Sequence, residues 1–338
     1  MFFDQALDDV DALAGIDPVL REIAGLGAQV RLAATAAAEA YAGLAAYDRP
    51  RAIVAGGADG RLFRAVLEPG CPVPFVAWPH LGLPGWAGPL DLVVVVCVNG
   101  SGAEEVSVVA EARRRGCALL VAAPVNSPVH EAAAGRGTTF LPAGSADPTA
   151  LAVPVLHALH LIGLGPEVPS EPVAAALDAV AERCAPAISA DENPAKEIAL
   201  GLADNLPVVW GGSVLAARAA RRVAEALRTA SGRPAIAGDV AQLVPLLAAA
   251  PETDLFADPF EDGPSSMRPA LLMLDDGADS PLIRAARSRL EAAANDASVR
   301  VQDVRAVEGP DVGRFAALLA TGRFAAAYLA LGLGRRAG

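Results

Sequence analysis

Three short turns carry the residue types that could hold an anion. Gly56-Gly57-Ala58-Asp59-Gly60 follows the apolar run Arg51-Ala52-Ile53-Val54-Ala55. Asn99-Gly100-Ser101-Gly102 follows a valine-rich run from Leu92 to Val98, and Gly211-Gly212-Ser213 follows Leu206-Pro207-Val208-Val209-Trp210. A turn of this kind between a strand and a helix presents unpaired backbone amides at the helix start, where an anion is favoured. The first turn lacks the GxGxxG spacing of a dinucleotide loop, so it reads either as an imperfect version of one or as a tight strand-to-helix turn. Glu104 and Glu105 open the helix after the second turn, and Arg113, Arg114 and Arg115 close it. The carboxylates either do chemistry or stabilise the positive end of the helix dipole. His157 and His160 lie three apart on an apolar helix, and His80 and His130 are isolated. A metal needs more ligands than these, so the sequence predicts core or interface histidines, no metal and no cofactor.

Length and composition bound what those residues serve. The chain has 338 residues, enough for two α/β domains rather than one. It is 53% hydrophobic but only 4% aromatic, so its core must be aliphatic. The formal net charge of −12 sets the chain against nucleic acid and anionic membrane surfaces. A single small anion can still be held locally by one helix N-terminus or one Arg. Cys71, Cys97, Cys117 and Cys184 form no CxxC pair and read as inert thiols of a reducing compartment. The N-terminus has no basic stretch and no long apolar core, as a secretory signal would. The apolar stretch from Leu151 to Leu164 is shorter than a spanning helix and contains Pro154, His157 and His160, which predicts a buried helix. Together these predict a cytoplasmic protein.

The elements that position the turns follow from periodicity. Residues 4–46 read as helices. Strands are expected near Ile53, Phe75 to Trp78, Val94, Leu120, Val208, Leu272 and Val299 to Val304, with helices between them. The run Leu92 to Val98 is apolar on both faces, as in a central parallel strand covered on both sides. Asn193 is the expected N-cap of a helix with Pro194 at its first position. Val54 and Val208 open equivalent strand, glycine and helix sequences about one domain length apart, which implies an internal duplication. The stretch from Pro251 to Arg268, rich in Asp, Pro and Glu, is expected to be a surface loop. The domain reading is an N-terminal helical segment over 1–48, a first α/β subdomain over 49–165, a helical linker over 166–192 and a second subdomain over 193–338.

The block Asn193-Pro194-Ala195-Lys196-Glu197, followed by Leu206 to Ser213, resembles the bifunctional phosphoglucose/phosphomannose isomerase family. This is a group with two SIS (phosphosugar-isomerase) domains. The valine-rich strand with Asn99-Gly100-Ser101-Gly102-Ala103-Glu104-Glu105 resembles that family's SYSGNTEE stretch, and Gly56-Gly57-Ala58 its GGSAIGG loop. The resemblance implies an α/β fold of two SIS-type, doubly wound parallel-sheet subdomains. It also implies a homodimer with a shared cleft, and a hexose phosphate or related anionic sugar as ligand. The phosphosugar-binding residues it implies are Gly56, Gly57, Ser101, Gly102, Gly212 and Ser213.

Family members interconvert glucose or mannose 6-phosphate with fructose 6-phosphate. That chemistry needs a carboxylate that moves a proton between C1 and C2, an acid–base group for ring opening, and a cation for the enediolate. In this sequence the resemblance places Thr229 at the catalytic Glu position, Pro245 at the His and Thr149 at the Arg. Ala58 and Ala103 replace phosphate-binding hydroxyls. Neither Thr nor Pro can do the proton transfer. Glu225, one turn before Thr229, is either a replacement carboxylate or a surface residue paired with a neighbouring arginine. Two main readings follow: an isomerase-family phosphosugar binder with impaired or displaced catalysis, or a non-catalytic sensor or regulatory partner in carbohydrate metabolism. A nicotinamide enzyme is the weaker third.

Overall fold

The protein is described by a computed structural model over residues 2–46, 48–57, 59–251 and 267–335. Ala58 and residues 252–266, the bulk of the expected surface loop, lie outside the described residues. In chain order the helices α1 Val10–Ala14, α2 Asp17–Ala24 and α3 Leu26–Ala37 come first. Then come β1 Ile53–Gly56, α4 Gly60–Leu67, β2 Phe75–Trp78, β3 Leu92–Val96, α5 Ala103–Arg115, β4 Ala118–Ala123, α6 Pro128–Ala133, β5 Thr138–Pro142 and α7 Pro148–Leu161. Two helices follow, α8 Ser170–Arg183 and α9 Pro194–Leu202. The second set of strands and helices is β6 Asn205–Gly211, α10 Val214–Ser231, β7 Ile236–Ala237, α11 Val240–Ala248, β8 Arg268–Asp275, α12 Pro281–Asp296, β9 Arg300–Arg305 and α13 Asp311–Gly332.

The chain forms two compact units, Leu26–Ala175 and Met1–Gly25 with Ala176–Gly338. The helical stretch expected over 1–48 is therefore divided in sequence between them. In the first unit the sheet order is β2-β1-β3-β4-β5, and every pairing is parallel. In the second it is β7-β6-β8-β9, again parallel throughout. The strands expected from Ile53, Phe75, Val94, Leu120, Val208, Leu272 and Val299 all form. β5 was not foreseen, because an edge strand with Thr138 and Thr139 at its start lacks the apolar run that marks the central ones.

Burial explains the composition. All five residues of β3 are buried, and helices pack on both faces of that strand. Val93 and Val95 belong to one apolar cluster with Val108, Val109 and Ala112 of α5. Each buried side chain of this size contributes about 1.5–3 kcal/mol relative to exposure. In the second unit, Val208, Leu271, Met273 and Leu290 form the matching cluster. Helix α13 is long and apolar enough to cross a membrane by length and composition, but 89% of its most apolar window is buried inside the fold. It packs closely on α10, where a side chain at Gly322 would overlap Val223. Helix α7 is buried as expected, with His157 edge-on to Tyr41 and a His160 ring nitrogen 3.2 Å from the Gly165 carbonyl.

Lys196, the chain's single lysine, is fully buried. Its three ammonium protons go to Asp8 at 2.8 Å, the Pro186 carbonyl at 2.9 Å and the Ile188 carbonyl at 2.7 Å. Asn193 caps α9 as predicted, its side chain accepting from the amides of Ala195 and Lys196. Two polar residues of the Asn-Pro-Ala-Lys-Glu block thus serve the fold, tying α9 to the loop before it and to the N-terminal residues.

Candidate functional site

A parallel sheet offers ligands the crevice beyond the strand C-termini, where neighbouring connections run to opposite sides. In the second unit that point lies between β6 and β8. β6 runs into Gly211-Gly212-Ser213 and β8 into Asp276. α10 starts so close to the strand that a side chain at Gly211 would overlap the backbone of Ala216. Ser213 is the N-cap of α10, its hydroxyl accepting from the Ala216 amide at 2.9 Å. The same hydroxyl donates to the carboxylate of Asp276, a residue only 7% exposed. The second carboxylate oxygen of Asp276 accepts from the Ala278 amide at 3.2 Å.

A hollow of about 390 Å³ opens beside this turn, lined by Gly212, Ser213, Ala217, Arg221, Asp239 and Ile283 among others. Ser213, Ala217 and Arg221 succeed one another at four-residue steps, so they share one face of α10. Helical side chains lean toward the N-terminus, which brings the Arg221 guanidinium back toward the turn. The amides of Val214 and Leu215, the first two of α10, have no partner among the described residues. Of the lining residues, Val214 offers an anion an unpaired backbone amide and Arg221 a cation, while Asp239, which accepts from the Gln242 amide, adds a carboxylate to the same hollow. The Ser213 proton is already given to Asp276. Arg221 and Asp276 carry no motif of their own and were not singled out by the sequence; only their place on the fold brings them to the turn.

The first unit has the same crevice between β1 and β3. Gly57 has φ +83 and lies against the Glu105 carboxylate, as does Gly102; a side chain on either glycine would overlap it. Glu105 reaches back from the first turn of α5 and fills the notch between the two loops. The structure thus gives Glu105 a bracing role and puts an anion of the chain's own at the start of α5. Ser101 is exposed, with its amide donating to Asn99 Oδ1 at 3.0 Å. The Cys97 thiol donates to the same oxygen at 3.2 Å, and burial pushes that thiol up. Gly56 lies against Val108, so α5 packs directly on the end of β1.

The three positions that the resemblance assigns to the isomerase machinery lie on three different helices. Thr229 is exposed on α10, about 24 Å along the helix axis from Ser213. Glu225 is also exposed and bonded to Arg222 at 2.9 Å. Pro245 is exposed within α11. Thr149 lies in the first turn of α7, its amide held by the Asp147 cap at 2.8 Å. Within the second unit, neither Thr229 nor Glu225 approaches the Ser213 turn.

Comparison with known proteins agrees with this architecture. Residues 191–336 match the family described as bacterial phospho-glucose isomerase C-terminal SIS domain. Among solved structures, tagatose-6-phosphate ketose/aldose isomerase from Escherichia coli is similar at 16% identity and a TM-score of 0.65, over 98% of this chain and 96% of that one. The C-terminal domain of glucosamine-fructose-6-phosphate aminotransferase from Francisella tularensis is similar at 14% identity and a TM-score of 0.64, over 94% and 97%. A glucose-6-phosphate isomerase like protein from Thermus thermophilus follows at 18% identity and 0.53, over 87% and 85%. No curated protein matches the chain in sequence. The fold is the SIS type of phosphosugar isomerases, present as two parallel-sheet units.

Proposed function

We propose that this chain is a cytoplasmic, homodimeric phosphosugar-binding protein of the glucose 6-phosphate/mannose 6-phosphate isomerase kind in which isomerisation is weak or lost. The observation that carries the reading is the hollow at the start of α10, lined by Val214 with its unpaired amide and by Arg221 beside Gly212 and Ser213. A dianionic phosphate gains there from the helix dipole and from a charge-assisted hydrogen bond. The resemblance supplies the sugar, since proteins with this fold include phosphosugar isomerases. The loss of catalysis rests on Thr229, Pro245 and Thr149, none of which offers a base, a proton-shuttling ring or a cation. Glu225 is held by Arg222, which favours its surface reading over that of a replacement base.

Such a protein would serve as a sensor or regulatory partner in carbohydrate metabolism. Thermal shift with glucose, mannose and fructose 6-phosphates tests the binding. A ligand at about 100 times its Kd stabilises by about 2.7 kcal/mol, a rise of several degrees in Tm. A coupled assay at high protein concentration tests the chemistry.

A further inference from the structure

The two units match strand for strand except at one edge. Among the described residues the second sheet ends at β9, whereas in the first unit β4 is followed outward by β5. The chain explains the difference. α6 and β5 intervene between β4 and α7, but only residues 306–310 separate β9 from α13. Among the described residues the outer edge of β9 is therefore open. The Ala306 amide donates to Asp275 on β8 at 2.9 Å, which fixes the alternation of the strand. Val301, Asp303 and Arg305 consequently turn their amides and carbonyls away from β8, and no described group bonds them.

A groove of about 510 Å³ runs along this edge, lined by residues of β9, α8 and α9. Three arginines line it: Arg183, Arg300 and Arg305. None has a hydrogen-bond or ion-pair partner among the described residues, in a chain whose net charge is −12. Asp303 is taken by Arg287 from α12, which leaves Glu197 as the only unpaired carboxylate among the lining residues.

We propose that the β9 edge takes up an extended acidic peptide segment of a partner protein as a fifth strand of the second sheet. The outward amides and carbonyls of Val301, Asp303 and Arg305 supply the ladder. Arg300 and Arg305 point to opposite faces of the sheet, so acids five residues apart on the added strand lie beside both. Arginine on an open edge also resists pairing with a strand of like charge. This favours an acidic partner over a second copy of the chain.

The test uses the full chain and a fluorescent, capped peptide of about six residues, with Glu at both ends and alternating Val and Thr between them. Anisotropy should show saturable binding that weakens with added salt. Methylating the alternate backbone nitrogens of the peptide that would face β9, so that it keeps its charge and loses the donors of the ladder, should abolish binding. R300E together with R305E should raise Kd about tenfold or more without changing Tm, since both side chains are exposed and unpaired. Equal binding of the methylated peptide, or no binding of either, would overturn the proposal. So would sedimentation showing the chain self-associated through this edge and dissociated by V301P, which removes an outward amide.

Discussion

The Ser213 hydroxyl donates to the Asp276 carboxylate at the point where β6 and β8 end, and it also accepts from the amide of Ala216. One side chain thus joins the two strand ends that frame the candidate site and starts the helix that would hold a phosphate. S213A should remove both links. A lost N-cap costs about 1 kcal/mol, and Asp276 would also lose a buried donor. The expected result is a Tm lower by a few degrees. D276N retains an oxygen acceptor for Ser213 and should fall less; equal losses in the two variants would show that the carboxylate charge itself holds the turn.

The burial of the single lysine makes a second prediction. K196M would leave the carbonyls of Pro186 and Ile188 without their donor inside the fold. Breaking a buried charged cluster from one side costs about 3–5 kcal/mol. The variant should unfold in urea at a clearly lower midpoint with an unchanged m-value. A shift within error would mean that water readily replaces the ammonium.

Alkaline stability follows from the same region. Burial pushes the Cys184 thiol up to about 11, and burial raises the neighbouring Tyr328 hydroxyl as well, which donates to the Cys184 carbonyl at 2.7 Å. Both groups keep their protons in the folded state at a pH where the unfolded chain has lost them. The unfolded state then binds fewer protons, so stability falls as pH rises from about 9, the thiol's ordinary value, to about 11. C184A should show a shallower decline over that window by urea titration at successive pH values. An identical slope would remove the thiol from the account.

Much of the fold was legible because its signals are local. The valines of β3 mark a strand buried on both faces, and the acidic start, basic end and Gly116 of α5 mark both ends of that helix. Gly116 has φ +74, a conformation that suits glycine. β5 escaped because its Thr-rich edge has no such pattern. The site was half legible. Gly212 and Ser213 stand in a recognisable turn, whereas Arg221 and Asp276 reach it through helix periodicity and a β8 pairing that no short motif encodes. The role of Glu105 was similarly hidden, since a first-turn carboxylate is commonplace and only the approach of Gly57 shows what it braces.

Catalysis offers a fourth prediction. A positioned base is worth about 10²–10⁴-fold and electrostatic stabilisation about 10²–10³-fold, so turnover of glucose or mannose 6-phosphate should be absent or very weak. E225Q should change nothing, because Glu225 is bonded to Arg222 about 18 Å along α10 from the turn. Turnover that disappears in E225Q would restore a catalytic reading.

The most direct test of the central claim is calorimetric titration of the chain with glucose 6-phosphate, alongside R221Q. Arg221 is exposed and has no partner among the described residues, so its replacement should leave Tm unchanged. Loss of one charge-assisted hydrogen bond costs about 1.5–3 kcal/mol. The account predicts saturable binding to the chain and a Kd raised at least about tenfold in R221Q. No binding of glucose, mannose or fructose 6-phosphate at millimolar concentration, or equal affinity in R221Q, would contradict it.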